Sequence, residues 1–182
     1  MLPSNVFLDT EILMDYIVPK RRNEYKCSCL LFDDIKLGKL KALTADYVLS
    51  EVTGNLKSER EATKGTSNVA KETLSPADKM GIQSIVKTVT CIPNFKVVMP
   101  SQPISQQDIY NIVSMVCVQT KDALVLLTAL DIKNKIHDVA LVTRDERLLV
   151  RSKVKITSAH PSEYIHKCPS DCLTRASCRH RK

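Results

Sequence analysis

Val139-Ala140-Leu141-Val142-Thr143-Arg144-Asp145 is the stretch whose reading decides the fold. Four apolar residues and a threonine, rich in β-branched side chains and closed by charge, read as a short strand buried on both faces. Val6-Phe7-Leu8-Asp9-Thr10 near the N-terminus has the same form. Each run ends against a carboxylate, Asp145 in one case and Asp9 in the other. A carboxylate at the end of a buried strand is costly unless something compensates its charge. A hard divalent cation bound through oxygen is one such partner.

Working outward, helical and strand-like patterns alternate along the chain. The spacing predicts helices over 11–18, 27–37, 46–56, from 76 through Val89, from 106 through Val116, 120–133 and 144–150. Strands are expected at 6–8, 40–44, 95–99, 139–143 and 154–157. Pro19 closes the first helix, and Lys20-Arg21-Arg22 then reads as a basic turn. Gly38 fits a helix C-cap. Ser75-Pro76-Ala77-Asp78 and Ser105-Gln106-Gln107-Asp108 are helix starts. The charged segment 57–74 reads as a frayed helix or an irregular excursion. Alternating elements call for an α/β fold, a central parallel sheet flanked by helices in three layers. Ligands in such sheets bind beyond the carboxyl ends of the strands, where Asp9 and Asp145 stand.

The chain has 182 residues, and 43% are hydrophobic. That suits a domain over 1–160 followed by a basic, cysteine-containing tail over 161–182. The net charge is +7, favourable for a polyanion such as nucleic acid. With no Trp and three Phe, stacking on an aromatic platform is not expected, and a nucleic acid would be held through its backbone. No apolar run approaches the ~20 residues that span a membrane, and the N-terminus lacks the features of a secretory signal, so a cytoplasmic location without membrane contact is expected. Cys91 and Cys117 read as small core residues, and Cys27 and Cys29 open a helix. Cys168, Cys172, Cys178 and His180 could bind zinc. Their spacing matches no common zinc motif, and a free or disulfide-linked tail is the preferred expectation. Asp15, Asp46, Asp108, Asp131 and Asp138 read as surface or capping acids. His137, His160 and His166 sit in loops with no assigned role.

Four segments together resemble one family. Phe7-Leu8-Asp9-Thr10-Glu11-Ile12-Leu13, Leu49-Ser50-Glu51-Val52, Lys121-Asp122-Ala123-Leu124-Val125-Leu126 and Leu141-Val142-Thr143-Arg144-Asp145-Glu146-Arg147-Leu148-Leu149 are similar, in this order, to the motifs of PIN domains. The resemblance covers 5 to about 158. The chain departs from the family at Glu11, where Asn is frequent two positions after the first acid.

The resemblance implies a ribonuclease dependent on Mg²⁺ or Mn²⁺. Asp9, Glu51, Asp122 and Asp145 would form the catalytic and metal-binding pocket, with Thr143 holding its shape. Arg21, Arg22, Lys26, Arg144 and Arg147 are candidates for contacting RNA, and the tail for electrostatic attraction. Family membership would fit a toxin held by an antitoxin and commonly homodimeric, of the VapC type. The alternatives are a housekeeping nuclease of ribosomal or other stable RNA, towards which the extra length and basic tail lean, and an inactive RNA-binding scaffold, which the presence of all four acids argues against.

Overall fold

A computed structural model describes residues 2–63 and 75–165. Its centre is a five-stranded, fully parallel sheet in the order β3-β2-β1-β4-β5. The strands are β1 (Asn5–Leu8), β2 (Lys41–Ala45), β3 (Phe95–Val98), β4 (Val139–Val142) and β5 (Ser158–Ala159). Between β1 and β2 lie α1 (Thr10–Ile17), α2 (Pro19–Glu24) and α3 (Lys26–Lys36). Helices α4 (Asp46–Thr63) and α5 (Pro76–Thr90) lead to β3. Helices α6 (Gln106–Val116) and α7 (Thr120–Ile136) lead to β4, and α8 (Glu146–Ser152) to β5.

The strands carry apolar side chains on both faces because helices flank the sheet. All four residues of β4 are buried, as are the last three of β1. Phe7, Leu8, Leu141 and Val142 are fully enclosed. Burying each such side chain stabilises the fold by roughly 1.5–3 kcal/mol relative to leaving it exposed. The register pairs Leu8 with Val142, so β1 and β4 end at the same level. Chain order reverses between these two neighbours: β2 and β3 build out from one side of β1, β4 and β5 from the other. Helices on either side of that reversal diverge and leave a crevice beyond the strand ends.

Several local expectations change. Lys20, Arg21 and Arg22 are helical, not a turn: Pro19 ends α1 and also occupies the first position of α2, where its missing N–H costs nothing. Helix α4 runs through Gly54 to Thr63, since nothing in that stretch breaks it. Residues 64–74 lie outside the described residues. The strand expected at 154–157 is a turn. Lys155 and Ile156 hydrogen-bond back to Ser152, and Val154 is exposed, so only Ile156 of its apolar pair is buried. The edge strand β5 forms just after it. The helix expected from Arg144 begins at Glu146, because the Asp145 side chain caps it. Cys91 and Cys117 are exposed thiols, not core residues. Cys91 follows the last turn of α5. Cys117 caps α6 in the left-handed conformation (φ 56°), while Val116 and Val118 enter the core on either side. Cys27 is buried and disulfide-bonded. Pro161–Glu163 form a 3₁₀ turn after β5, and Tyr164 packs against the core.

Candidate active site

Asp9 leaves β1 in extended conformation and caps α1. Its Oδ1 accepts the Thr10 N–H at 2.7 Å, and its Oδ2 accepts the Thr143 hydroxyl at 2.7 Å. The Thr143 oxygen in turn accepts the Asp145 N–H at 3.1 Å. Asp145 Oδ1 then accepts the Leu148 N–H at 2.9 Å at the start of α8. One continuous hydrogen-bonded chain therefore joins the ends of β1 and β4. The partners of Asp9 are neutral, and only 8% of the residue is exposed. Burial pushes its carboxyl up to about 6, and the nearby charges of Glu11 and Asp122 add to the effect.

Two further acids come from helices. Glu51 lies on α4, and its Oε2 accepts the Thr10 hydroxyl at 2.6 Å. Asp122 lies in the first turn of α7. Burial raises the Asp122 carboxyl, and repulsion from Asp145 and Glu51 raises it further, while Lys121 opposes both. Asp9, Glu51, Asp122 and Asp145, with Glu11, line a single cavity of about 110 Å³. Glu11 thus faces the cavity, and its carboxylate also lies 3.4 Å from Arg144.

This donor set suits a hard divalent cation: carboxylate oxygens, one of them nearly buried and balanced only by neutral hydrogen bonds. The side chains have not closed on a common point. Among the described residues, no three His, Cys, Asp or Glu side chains come together as a ready metal-binding group. The reason is visible in their partners. Asp145 is turned to cap α8, and Glu51 is held by Thr10 and lies 3.6 Å from Lys121 Nζ. The chemistry of the residues fits Mg²⁺ or Mn²⁺, while Asp145 and Glu51 are engaged with other partners in the present arrangement.

The expected basic residues are distributed unevenly. Arg144 and Arg21 both pair with Asp15, a fully buried carboxylate of α1. Arg144 Nε lies 2.6 Å and Arg21 Nη2 3.0 Å from it. Ser28 donates a third contact at 2.8 Å. Burial pushes the Asp15 carboxyl up, and Arg144, Ser28 and Arg21 draw it back. Arg144 also covers the Tyr25 ring at 3.6 Å. Arg21 lines the acidic cavity. Arg22 donates to the Tyr16 carbonyl and lies over the Tyr16 ring. Lys26 begins α3, and Arg147 is exposed on α8. Asp15 is thus neither a surface nor a capping acid. Its place three residues after buried Ile12 signalled an inward position. Asp46 is exposed in the first turn of α4 and accepts the Tyr47 N–H, Asp108 completes the capping box of α6, and Asp131 and Asp138 bind Ser101 and Ser4. His160 is buried, caps the 3₁₀ turn, and is lowered by burial to about 4. Thr10 and Lys121 contribute to the site without having been singled out in the sequence. The tail residues Cys168, Cys172, Cys178 and His180 lie outside the described residues.

No protein-family model matches this chain, and no curated protein matches it. Among solved structures it is similar to PAE2754 from Pyrobaculum aerophilum, with a TM-score of 0.51 over 96% of each chain at 13% identity. It is also similar to VapBC2 from Rickettsia felis bound to a DNA fragment from their promoter. There the TM-score is 0.48 over 86% of this chain and 98% of that one, at 13% identity. The chain therefore has a PIN-like three-layer α/β fold, with its central parallel sheet flanked by helices.

Proposed function

We propose that this protein is a metal-dependent endoribonuclease that hydrolyses phosphodiester bonds in RNA. The supporting observation is the cavity at the strand-order reversal, where four acids far apart in sequence face one space of about 110 Å³. Asp9, Glu51, Asp122 and Asp145 would hold the cation. Bound there, Mg²⁺ or Mn²⁺ supplies a water of lowered pKa and neutralises charge on the phosphate oxygens. Thr143 fixes Asp9 against Asp145, and Thr10 fixes Glu51 beside Asp9. Asp9 is thus oriented by a hydroxyl before any ligand arrives, which lowers the cost of organising that side of the site. With its carboxyl near 6, Asp9 can accept a proton close to neutral pH when no cation is present.

A competing reading is a binding module that keeps the fold without the activity. The unconverged carboxylates and the Lys121–Glu51 contact favour it. Incubation of the purified protein with structured and unstructured RNAs separates the two. Cleavage in Mn²⁺ that stops with chelator is the expected result, and intact RNA in both conditions supports the binding module. Within the nuclease reading, a toxin with an antitoxin partner arrests growth on expression, whereas a housekeeping nuclease of stable RNA does not.

A further inference from the structure

The cavity presents five carboxylates, Asp9, Glu11, Glu51, Asp122 and Asp145, and two cations, Arg21 and Lys121. A polyanion approaching these acids meets repulsion, which the two basic side chains lining the cavity offset, while Arg144 lies 3.4 Å from Glu11 and is turned onto Asp15. They reach the cavity from different elements, Arg21 from α2 and Lys121 from the start of α7. Each is held by a carboxylate. Arg21 contacts Asp15 through both Nε and Nη2, at 3.1 and 3.0 Å. Because Asp15 is fully buried and also pairs with Arg144, it anchors one edge of the Arg21 guanidinium. The side chain remains 26% exposed. A guanidinium can bind one oxyanion along one edge and still present N–H donors to another. Lys121 is held more loosely. Its Nζ lies 3.6 Å from Glu51 Oε1, and its side chain is 65% exposed. It occupies the position where a cation beside Glu51 is electrostatically favoured.

We propose that Arg21 and Lys121 are a pair of phosphate grips across this cavity, Arg21 presented by the buried Asp15 and Lys121 turning from Glu51 to the phosphate when RNA binds, with or without a cation. The proposal rests on the nuclease reading for its substrate, an RNA backbone. Asp15 is then a positioning residue: it touches no phosphate and acts through Arg21. Lys121 has a double effect. Its charge attracts phosphate and opposes a divalent cation near Glu51, so removing it moves the two affinities in opposite directions.

The test measures binding of a short fluorescein-labelled single-stranded RNA to the full chain in chelator, where no cleavage occurs, by anisotropy across a salt series. Arg21→Gln and Lys121→Met are each expected to weaken binding about three- to tenfold and to lower the salt slope by about one. Lys96→Gln, an exposed lysine on β3, is expected to leave both unchanged. Calorimetric titration with Mn²⁺ alone is expected to show tighter binding to Lys121→Met than to the unsubstituted protein. Arg21→Lys should not restore RNA affinity, because an ammonium cannot bridge Asp15 and phosphate as a guanidinium does. Unchanged RNA binding in Arg21→Gln or in Lys121→Met overturns the pair, as does loss in Lys96→Gln of the same size. These readouts do not depend on cleavage, so failure of the grips is distinguishable from failure of the nuclease reading.

Discussion

At the scale of single residues, Asp9 and His160 pull stability in opposite directions with pH. Asp9 is raised from 3.8 to about 6. Its folded form therefore holds a proton that the unfolded chain has released, and this contribution is complete below about pH 4 and lost as pH rises through 6. His160 is lowered from 6.5 to about 4. Its contribution is complete above about pH 6.5 and lost as pH falls through 4. Each shift corresponds to roughly 3 kcal/mol at most. The two cancel in part, so the unsubstituted protein should show a shallow profile between pH 4 and 6.5. Asp9→Asn removes one of them. The metal-free variant is expected to be more stable than the unsubstituted protein at pH 7, and its stability is expected to fall more steeply on acidification. Denaturant unfolding at pH 7 and pH 5 checks this, and parallel profiles for the two proteins would refute it.

At the scale of elements, the ends of β1 and β4 are coupled through Thr143. Its hydroxyl donates to Asp9 and accepts from the Asp145 backbone, which sets the start of α8. Thr143→Val keeps the shape of the side chain and removes both bonds. We expect a loss of about 1–3 kcal/mol by denaturant unfolding and at least about a tenfold fall in RNA cleavage. Thr143→Ser should restore most of both, and full activity in Thr143→Val would show that the hydroxyl has no positioning role. The elements themselves were largely legible in the sequence. Val139–Val142 and the run Val6 to Leu8 carry the unbroken apolar side chains of buried parallel strands, and Ser105 forms the expected capping box with Asp108. Val154 and Ile156 alternate as a strand would, yet the backbone turns there. Two apolar residues cannot distinguish a strand from one buried anchor in a turn. The Pro19 error has a related origin, since proline stops one helix and starts another with equal ease.

At the scale of the whole molecule, strand order places the site. Once β1 and β4 are neighbours, Asp9 and Asp145 lie at one edge, and α4 and α7 bring Glu51 and Asp122 to the same cavity. That these four acids would line one cavity was readable because four motifs occur in order. The Asp15 pairing with Arg21 and Arg144 was not, since its partners lie 6 and 129 residues away and meet it only in the folded chain. The state of the carboxylates was also hidden. Sequence marks which acids face the cavity, while rotamers set by Leu148, Thr10 and Lys121 decide whether they converge.

The four acids should act as one unit, so the deciding measurement compares Asp9→Asn, Glu51→Gln, Asp122→Asn and Asp145→Asn with Asp33→Asn, an exposed acid of α3. All are assayed as folded proteins for single-turnover cleavage of RNA in Mn²⁺. Each of the four is predicted to lose about 100-fold or more, with Asp33→Asn unchanged. Cleavage at the unsubstituted rate by any one of the four would contradict a shared site.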